Sequence, residues 1–485
     1  MKKRLLSLLT LAISSVALAS CGEAESSQSA ALGTQNPQVF KRFEAELTPC
    51  TIRVLENDTA KLTGYLDALL KAFNEKYEEY GIVAVDANID QYTNLAQDGP
   101  YGYGPDVLYQ ANDAIMQYLD GGHILPLPVD TLEDYSLIDS NAWKAYDGIY
   151  KGAKYTFGIP VNLQTGVIFY REDLLPEDSD KNNDGRPDML ETWNALYDYS
   201  IQRHEENSDH LGYMRALYDF YFNSGFLFSY GGYIFGDNNT NPDDIGVDAG
   251  NAYLGAKVVR QLASVMDMSC VEDTTTSKGY SKLASGEWFC TMTTPDVQNL
   301  FIKEMALEYQ RLDSTLSDDA AKEKAKSNLK MISVPKLPVS GDLTDDSKGF
   351  FDMTTMGGIN GYAISSYTGN ARASWEFVKF ATSKEMVALR EQYLGIVTCR
   401  SDLNLNEEGL NSELYKALTD GRISLMPSIS EVSALWSPGE TFFKGLATDV
   451  FMDPSSQKYT TDEALKKGLE TFHQQLYDAI HTLKS

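Results

Sequence analysis

Asp219–Gly250 reads DFYFNSGFLFSYGGYIFGDNNTNPDDIGVDAG, and the reading of this stretch decides how the rest of the chain is understood. It opens on Phe220, Tyr221, Phe222, Phe226, Phe228, Tyr230, Tyr233 and Phe235 with few polar residues between them, so much of it is buried. Gly231-Gly232 breaks the run, as a tight turn or a close backbone approach requires. A polar turn, GDNNTNPDD, follows, and then a short apolar return through Ile245 and Val247. Aromatic rings bury a flat apolar face and keep a polar handle at the rim. The C–H faces of a pyranose suit such rings, and its hydroxyls suit carboxylates and amides. The stretch reads either as ordinary core or as one wall of a sugar-binding cleft.

Outward from it, strands and helices alternate. Thr51–Leu55 is a first strand; Leu62, Leu66, Leu69, Leu70, Phe73 and Tyr77 fall at helical spacing, Gly81 follows near the helix end, and Ile82–Val85 is a second strand. A crossover of this length predicts a parallel sheet and an α/β lobe. Gly104-Pro105-Asp106 turns into a third strand at Val107–Tyr109, and Asp113 lies just beyond it, where ligands approach open α/β sheets. Asp113 suits a helix cap equally well. At the far end, Thr460 and Glu463 form a capping-box pattern before a helix whose buried face is Leu465, Leu469, Phe472, Leu476 and Ile480.

Asp180–Glu191 fills the whole calcium-loop template D-x-[DN]-x-[DN]-G-x5-E. Asp180, Asn182 and Asp184 offer side-chain oxygens, Arg186 its carbonyl, Asp188 a direct or water-mediated ligand and Glu191 a bidentate carboxylate, with Gly185 at the sharp turn. The reading is a structural Ca2+ clip; a solvated acidic turn is the alternative.

Lys2, Lys3 and Arg4 precede an apolar run, Leu5–Leu18, too short to span a membrane, and a small-residue end at Ala19-Ser20-Cys21. This order reads as a signal peptide over 1–20. Residues 21–46, rich in Ser, Ala, Gln and Gly, read as a flexible tether. The formal charge of −28 argues against nucleic acid and anionic membrane as partners. Export permits disulfides, and Cys50, Cys270, Cys290 and Cys399 allow three pairings or none.

Several of these segments resemble the maltodextrin-binding proteins of the extracellular solute-binding family of ABC importers. The resemblance rests on Asp219-Phe220-Tyr221-Phe222, Gly231-Gly232-Tyr233-Ile234-Phe235 and Gly246-Val247-Asp248. It extends to Phe157-Gly158-Ile159-Pro160, Thr192-Trp193, and Met426-Pro427 with Val432–Trp436. Leu18–Gly22 resembles a bacterial lipobox, which makes Cys21 the lipidated first residue of an extracytoplasmic, membrane-anchored protein. The resemblance implies two α/β lobes with a ligand cleft between them and several hinge crossings, near 163–166, 332–335 and 404–411. Lobe 1 is then 47–163 plus 335–403, and lobe 2 is 166–332 plus 410–485. It assigns a sugar-bonding carboxylate to Asp219, a stacking ring to Tyr221 and another to Trp436, and a second carboxylate to Asp113. Three positions depart from the family pattern: Gln110 stands where it has a tryptophan and Gln164 where it has a glutamate. Asp296 follows Pro295 where a stacking tryptophan is common. The implied partners of this monomer are an oligosaccharide and a membrane permease.

No HExxH, GxSxG or P-loop motif is present, which argues against those enzyme classes. A glycosidase needs only two carboxylates. A secreted carbohydrate-active hydrolase is therefore one rival to the receptor, and a receptor for another glycan or a peptide is a second.

Overall fold

A computed structural model describes residues 33–483 except 93, 272–277 and 405–408. The expected signal peptide and Cys21 lie outside the described residues. The chain forms two α/β lobes around two sheets. The larger sheet runs in the order Val397–Thr398, Ile159–Thr165, Thr355–Ile364, Val107–Ala111, Cys50–Leu55, Ile82–Asp86, with Ile423–Leu425 also paired to Thr355–Ile364. The first three strands in sequence are parallel, as the crossover length predicts. The smaller sheet runs Leu329–Ile332, Val167–Arg171, Trp288–Thr293, Leu211–Tyr213.

The helix Tyr65–Lys76 turns Tyr65, Leu66, Leu69 and Phe73 inward. Every residue of Thr355–Ile364 is buried, as suits a central strand. Its Gly361 sits at a register shift beside Ile159, whose carbonyl oxygen would lie 2.4 Å from an added Cβ, so only glycine fits.

The chain passes from the larger sheet to the smaller one first at Thr165-Gly166-Val167. The other two crossings lie elsewhere. After Ile332 the chain stays with the second lobe: Leu337, Leu343 and Met353 pack into its core, Lys336 N donates to Glu191 O (3.0 Å) and Tyr230 OH donates to Pro338 O (2.6 Å). The return comes only before Thr355. The third crossing also comes late. Leu414, Ala417 and Leu418 of the helix Leu410–Thr419 join the first lobe's core, and Ile423–Leu425 extends its sheet before Met426 enters the second core. Residues 336–353 and 410–425 thus exchange lobes relative to the expectation. Their apolar spacing says that they are buried but not in which core. The lobes also touch directly, where Asn299 Nδ2 donates to Gln392 O (3.0 Å) and Tyr393 O (2.5 Å).

Within the expected tether, residues 33–46 are bound down. Pro37–Phe43 is a 3-10 helix capped by Asn36, and Phe43 is buried against Trp375. Arg42 donates to Ser366 O and Thr368 O, Arg372 to Phe43 O, and Gly33 N to Gly152 O. A buried aromatic and forked arginines outweigh the Ser/Ala-rich composition. All four described cysteines are free thiols, so no pairing forms among them. Burial pushes the Cys270 and Cys399 thiols up to about 12. The last helix, Asp462–Leu483, buries all five expected residues, but its cap is Thr461, whose Oγ1 accepts from Ala464 N, and not Thr460.

Candidate ligand cleft

Phe220, Phe226 and Phe228 of the aromatic stretch are core, on the helix Phe220–Ser229, while Tyr221 is left at the junction of the lobes. Its hydroxyl donates to Gln164 O (3.0 Å) on the first crossing strand. Burial, then the charges of Asp113, Asp296 and Asp219, push this hydroxyl well above its ordinary pKa. Carboxylates from both lobes therefore face one tyrosine.

Asp219 occupies the cap position of that helix without capping it. It binds Arg215 Nη2 at 2.5 Å instead. Arg215 is itself buried, donates Nη1 to Met292 O (3.1 Å) and lies 3.7 Å from the Phe222 ring centre. A carboxylate bonded to a buried, stacked guanidinium is restricted in orientation. Trp436 begins the helix Trp436–Val450, half-buried, with its ring set edgewise to Phe220 at 6.3 Å. One turn on, Glu440 is pushed up by burial and by Asp219, so this helix start faces the same carboxylate.

Asp113 lies in the first turn of Asn112–Met116, where Ala111 is the cap residue. Burial pushes its carboxyl up to about 6, with only the N–H groups of Ala114 and Asp113 opposing. The folded chain therefore keeps a proton that the unfolded chain has lost. Stability from this group is full below about pH 3.8 and is lost as the pH rises to about 6. Asp113→Asn is expected to melt higher than the natural chain at pH 7.5, with the gap closing by pH 4. Equal melting temperatures at pH 7.5 would refute this.

Burial raises the Asp296 carboxyl, with Thr294, Arg390, its own N–H and Gln164 opposing. Gln110 spends its amide elsewhere: its Nε2 donates to Gln91 O, and its Oε1 is buried without a partner among the described residues. Sequence reasoning missed Tyr92, Arg215 and Glu440. Tyr92 is 84% exposed, yet its hydroxyl is raised by partial burial and by Asp58, Asp90, Asp219 and Asp113, so it stands at the mouth of the same acidic region. It lies just past the strand Ile82–Asp86, at the sheet edge that pointed to Asp113. Arg215 was legible as the i,i+4 partner of Asp219.

In the loop Asp180–Glu191, Asp180 accepts from Asp184 N (3.2 Å) and Gly185 N (2.9 Å), and Asp184 accepts from Arg186 N (2.9 Å). Asn182 Nδ2 reaches both Asp184 (3.1 Å) and Glu191 (3.3 Å). Asp188 accepts from Lys181 N and lies 3.3 Å from its ammonium. Gly185 has φ +87°. The Arg186 guanidinium clamps Leu190 O and Ser333. Among the described residues, no group of three or more His, Cys, Asp or Glu side chains is gathered as metal ligands are.

The family model of bacterial extracellular solute-binding proteins matches residues 68–417. The chain is a bacterial extracellular solute-binding protein. This solute-binding protein is 24% identical over 476 residues to the galactooligosaccharide-binding protein of Bacillus subtilis (strain 168), covering 95% of this chain and 96% of that one. It is 22% identical over 381 residues to the maltodextrin-binding protein MdxE of the same organism, covering 78% and 81%. Among solved structures, it is similar to the Thermus thermophilus maltotriose binding protein bound with maltotriose (TM-score 0.65, 15% identity, 89% of this chain and 99% of that one). It is also similar to MalX from Streptococcus pneumoniae in complex with maltopentaose (TM-score 0.64, 18% identity, 88% and 99%). The expected two-lobed fold is thus the fold of its solved neighbours.

Proposed function

We propose that this solute-binding protein captures an oligosaccharide between its lobes and delivers it to the permease of an ABC importer. What supports the reading is Tyr221, whose hydroxyl donates to Gln164 O beside the first crossing and feels the charges of Asp113 from one lobe and Asp219 from the other. Carboxylates accept from sugar hydroxyls, and the rings offer faces to pyranose C–H groups. Ligand that contacts both lobes binds the closed form better and shifts the balance toward it. The relatives named for galactooligosaccharide and maltodextrin support a sugar of several units. They leave linkage to be measured.

The test is isothermal titration of residues 33–485 with maltotriose, longer maltodextrins and β-1,4-galactotriose, followed by chromatography of the sugar. Saturable heat with intact sugar supports the receptor. Sustained heat with shortened sugar means a hydrolase, and no heat from any of the three sugars removes the reading.

The same proposal includes a lipid anchor on Cys21, which mass spectrometry of the membrane fraction would reveal as an acylated first residue, and a monomeric mature chain. It also includes calcium in the loop Asp180–Glu191. The all-oxygen donor set of Asp180, Asn182, Asp184, the Arg186 carbonyl, Asp188 and Glu191 suits a hard cation. Bound calcium would tie the loop's carboxylates together. Calcium at about 100 times its dissociation constant is expected to add roughly 2.7 kcal/mol of stability. Identical melting curves in millimolar calcium and in EDTA would count against it.

A further inference from the structure

We propose that Asn74 closes the outer edge of the first lobe's sheet against a second copy of this chain. The proposal does not depend on the sugar reading. Ile82–Asp86 ends that sheet: it pairs with Cys50–Leu55 on one side and, among the described residues, with no strand on the other. Ile82-Val83-Ala84-Val85 is uncharged, free of proline and rich in strand formers, a composition that pairs strand to strand between chains. Ile82 and Ala84 join the core that holds Leu69 and Phe73, while Val83 and Val85 alternate to the other face, 43% and 37% exposed. The backbone groups of an edge strand point by turns at the neighbouring strand and away from it. Ala87 N donates to Val54 O (2.8 Å) and Cys50 N to Gly81 O (3.2 Å), so the odd-numbered residues face inward, and Ile82, Ala84 and Asp86 face out. At the strand's start, Ile82 N turns to Tyr77 O (3.5 Å). At its centre, Ala84 N donates to Asn74 Oδ1 (2.7 Å) and Asn74 Nδ2 donates to Ala84 O (3.0 Å).

One carboxamide thus makes both of the bonds that a residue of an antiparallel neighbour would make. Two copies related by a two-fold axis through Ala84 would set Ala84 against Ala84 of the second copy, exchanging these same two bonds. Val83 would then face Val85 of the second copy, once on each side of the axis, as apolar cross-strand pairs. Any other partner must bring a free strand of matching shape; a second copy always brings one. Asn74 stands in the last turn of the helix Tyr65–Lys76, where asparagine is a poor helix former. Its two bonds to the strand edge give it a reason to be there.

The experiment compares the natural chain, Asn74→Ala and the double variant N74A/V83K, each as residues 33–485. Size-exclusion chromatography with light scattering reads the mass over about a hundredfold range of protein concentration, and a melting curve is recorded for each protein. A lysine on an exposed edge opposes pairing between chains and leaves the core alone. The natural chain is expected to stay monomeric throughout. The mass of N74A should climb with concentration toward twice that of the monomer, and N74A/V83K should be monomeric again. N74A that stays monomeric at every concentration overturns the proposal; a lowered melting temperature beside that result would mean that Asn74 only braces its helix against the sheet. A natural chain that dimerises as readily as N74A overturns it too. So does aggregation of N74A that V83K fails to reverse, because misfolding and not edge pairing would then be the cause.

Discussion

Arg390→Met is expected to lower the stability of the first lobe by about 3–5 kcal/mol, the usual cost of stranding one member of a buried ion pair. Arg390 and Glu56 are both fully buried. Nη1 meets Oε1 at 2.9 Å and Nη2 meets Oε2 at 3.0 Å, a two-pronged fork. The guanidinium also lies 3.6 Å from the Tyr109 ring centre and 4.7 Å from that of Tyr65, and Tyr362 OH donates to Glu56. With the cation gone, Glu56 keeps, among the described residues, the bonds from Tyr362 and the Asn57 N–H. Adding Glu56→Gln should recover most of the loss, because a neutral pair leaves no orphaned charge. Urea unfolding followed by tryptophan fluorescence measures both variants, since Trp143 and Trp375 report on the first lobe. A single-variant cost below about 1 kcal/mol would show that the fork is not the keystone proposed.

The second large effect is on binding. Trp436→Ala is expected to weaken the sugar that the natural chain binds by about 2–4 kcal/mol, roughly 30- to 1,000-fold in dissociation constant, as for central aromatic contacts elsewhere. Trp436 is half-buried, so part of its face is open, and its edge contact with buried Phe220 fixes its orientation. Trp436→Phe keeps a ring of smaller area and should fall between the two. Titration of the three proteins decides the matter. If Trp436→Ala binds like the natural chain, the ring is only a lid on Phe220.

The two-lobed fold was legible because apolar spacing is a local property. Leu66, Leu69 and Phe73 at helical spacing between two strands were enough to predict a parallel sheet, and the strands pair that way. The membership of 336–353 and 410–425 was not legible, since both cores are apolar and only three-dimensional docking assigns Leu337 to one and Leu414 to the other. The same limit applied to the cleft. Asp113, Asp219 and Tyr221 were marked as candidates through strand ends and segment resemblance. Tyr92 and Glu440 lie apart from Asp219 and Tyr221 in sequence, and only folding brings these groups near the same carboxylate. Gln110 shows the converse: a position marked by resemblance alone spends its amide on the backbone of Gln91.

The segment at Pro37–Phe43 has a mechanical consequence. It is fastened to Ser366, Thr368 and Trp375, all in the first lobe. Tension on the chain ahead of Gly33 therefore loads that lobe and bypasses the crossings. Under the proposed anchor and closure, the jaw that holds this segment is the stationary one and the jaw carrying Tyr221 and Trp436 makes the stroke. On that proposal, a pull along the chain ahead of Gly33 would neither open nor shut the cleft, so capture would be insulated from drag on the molecule.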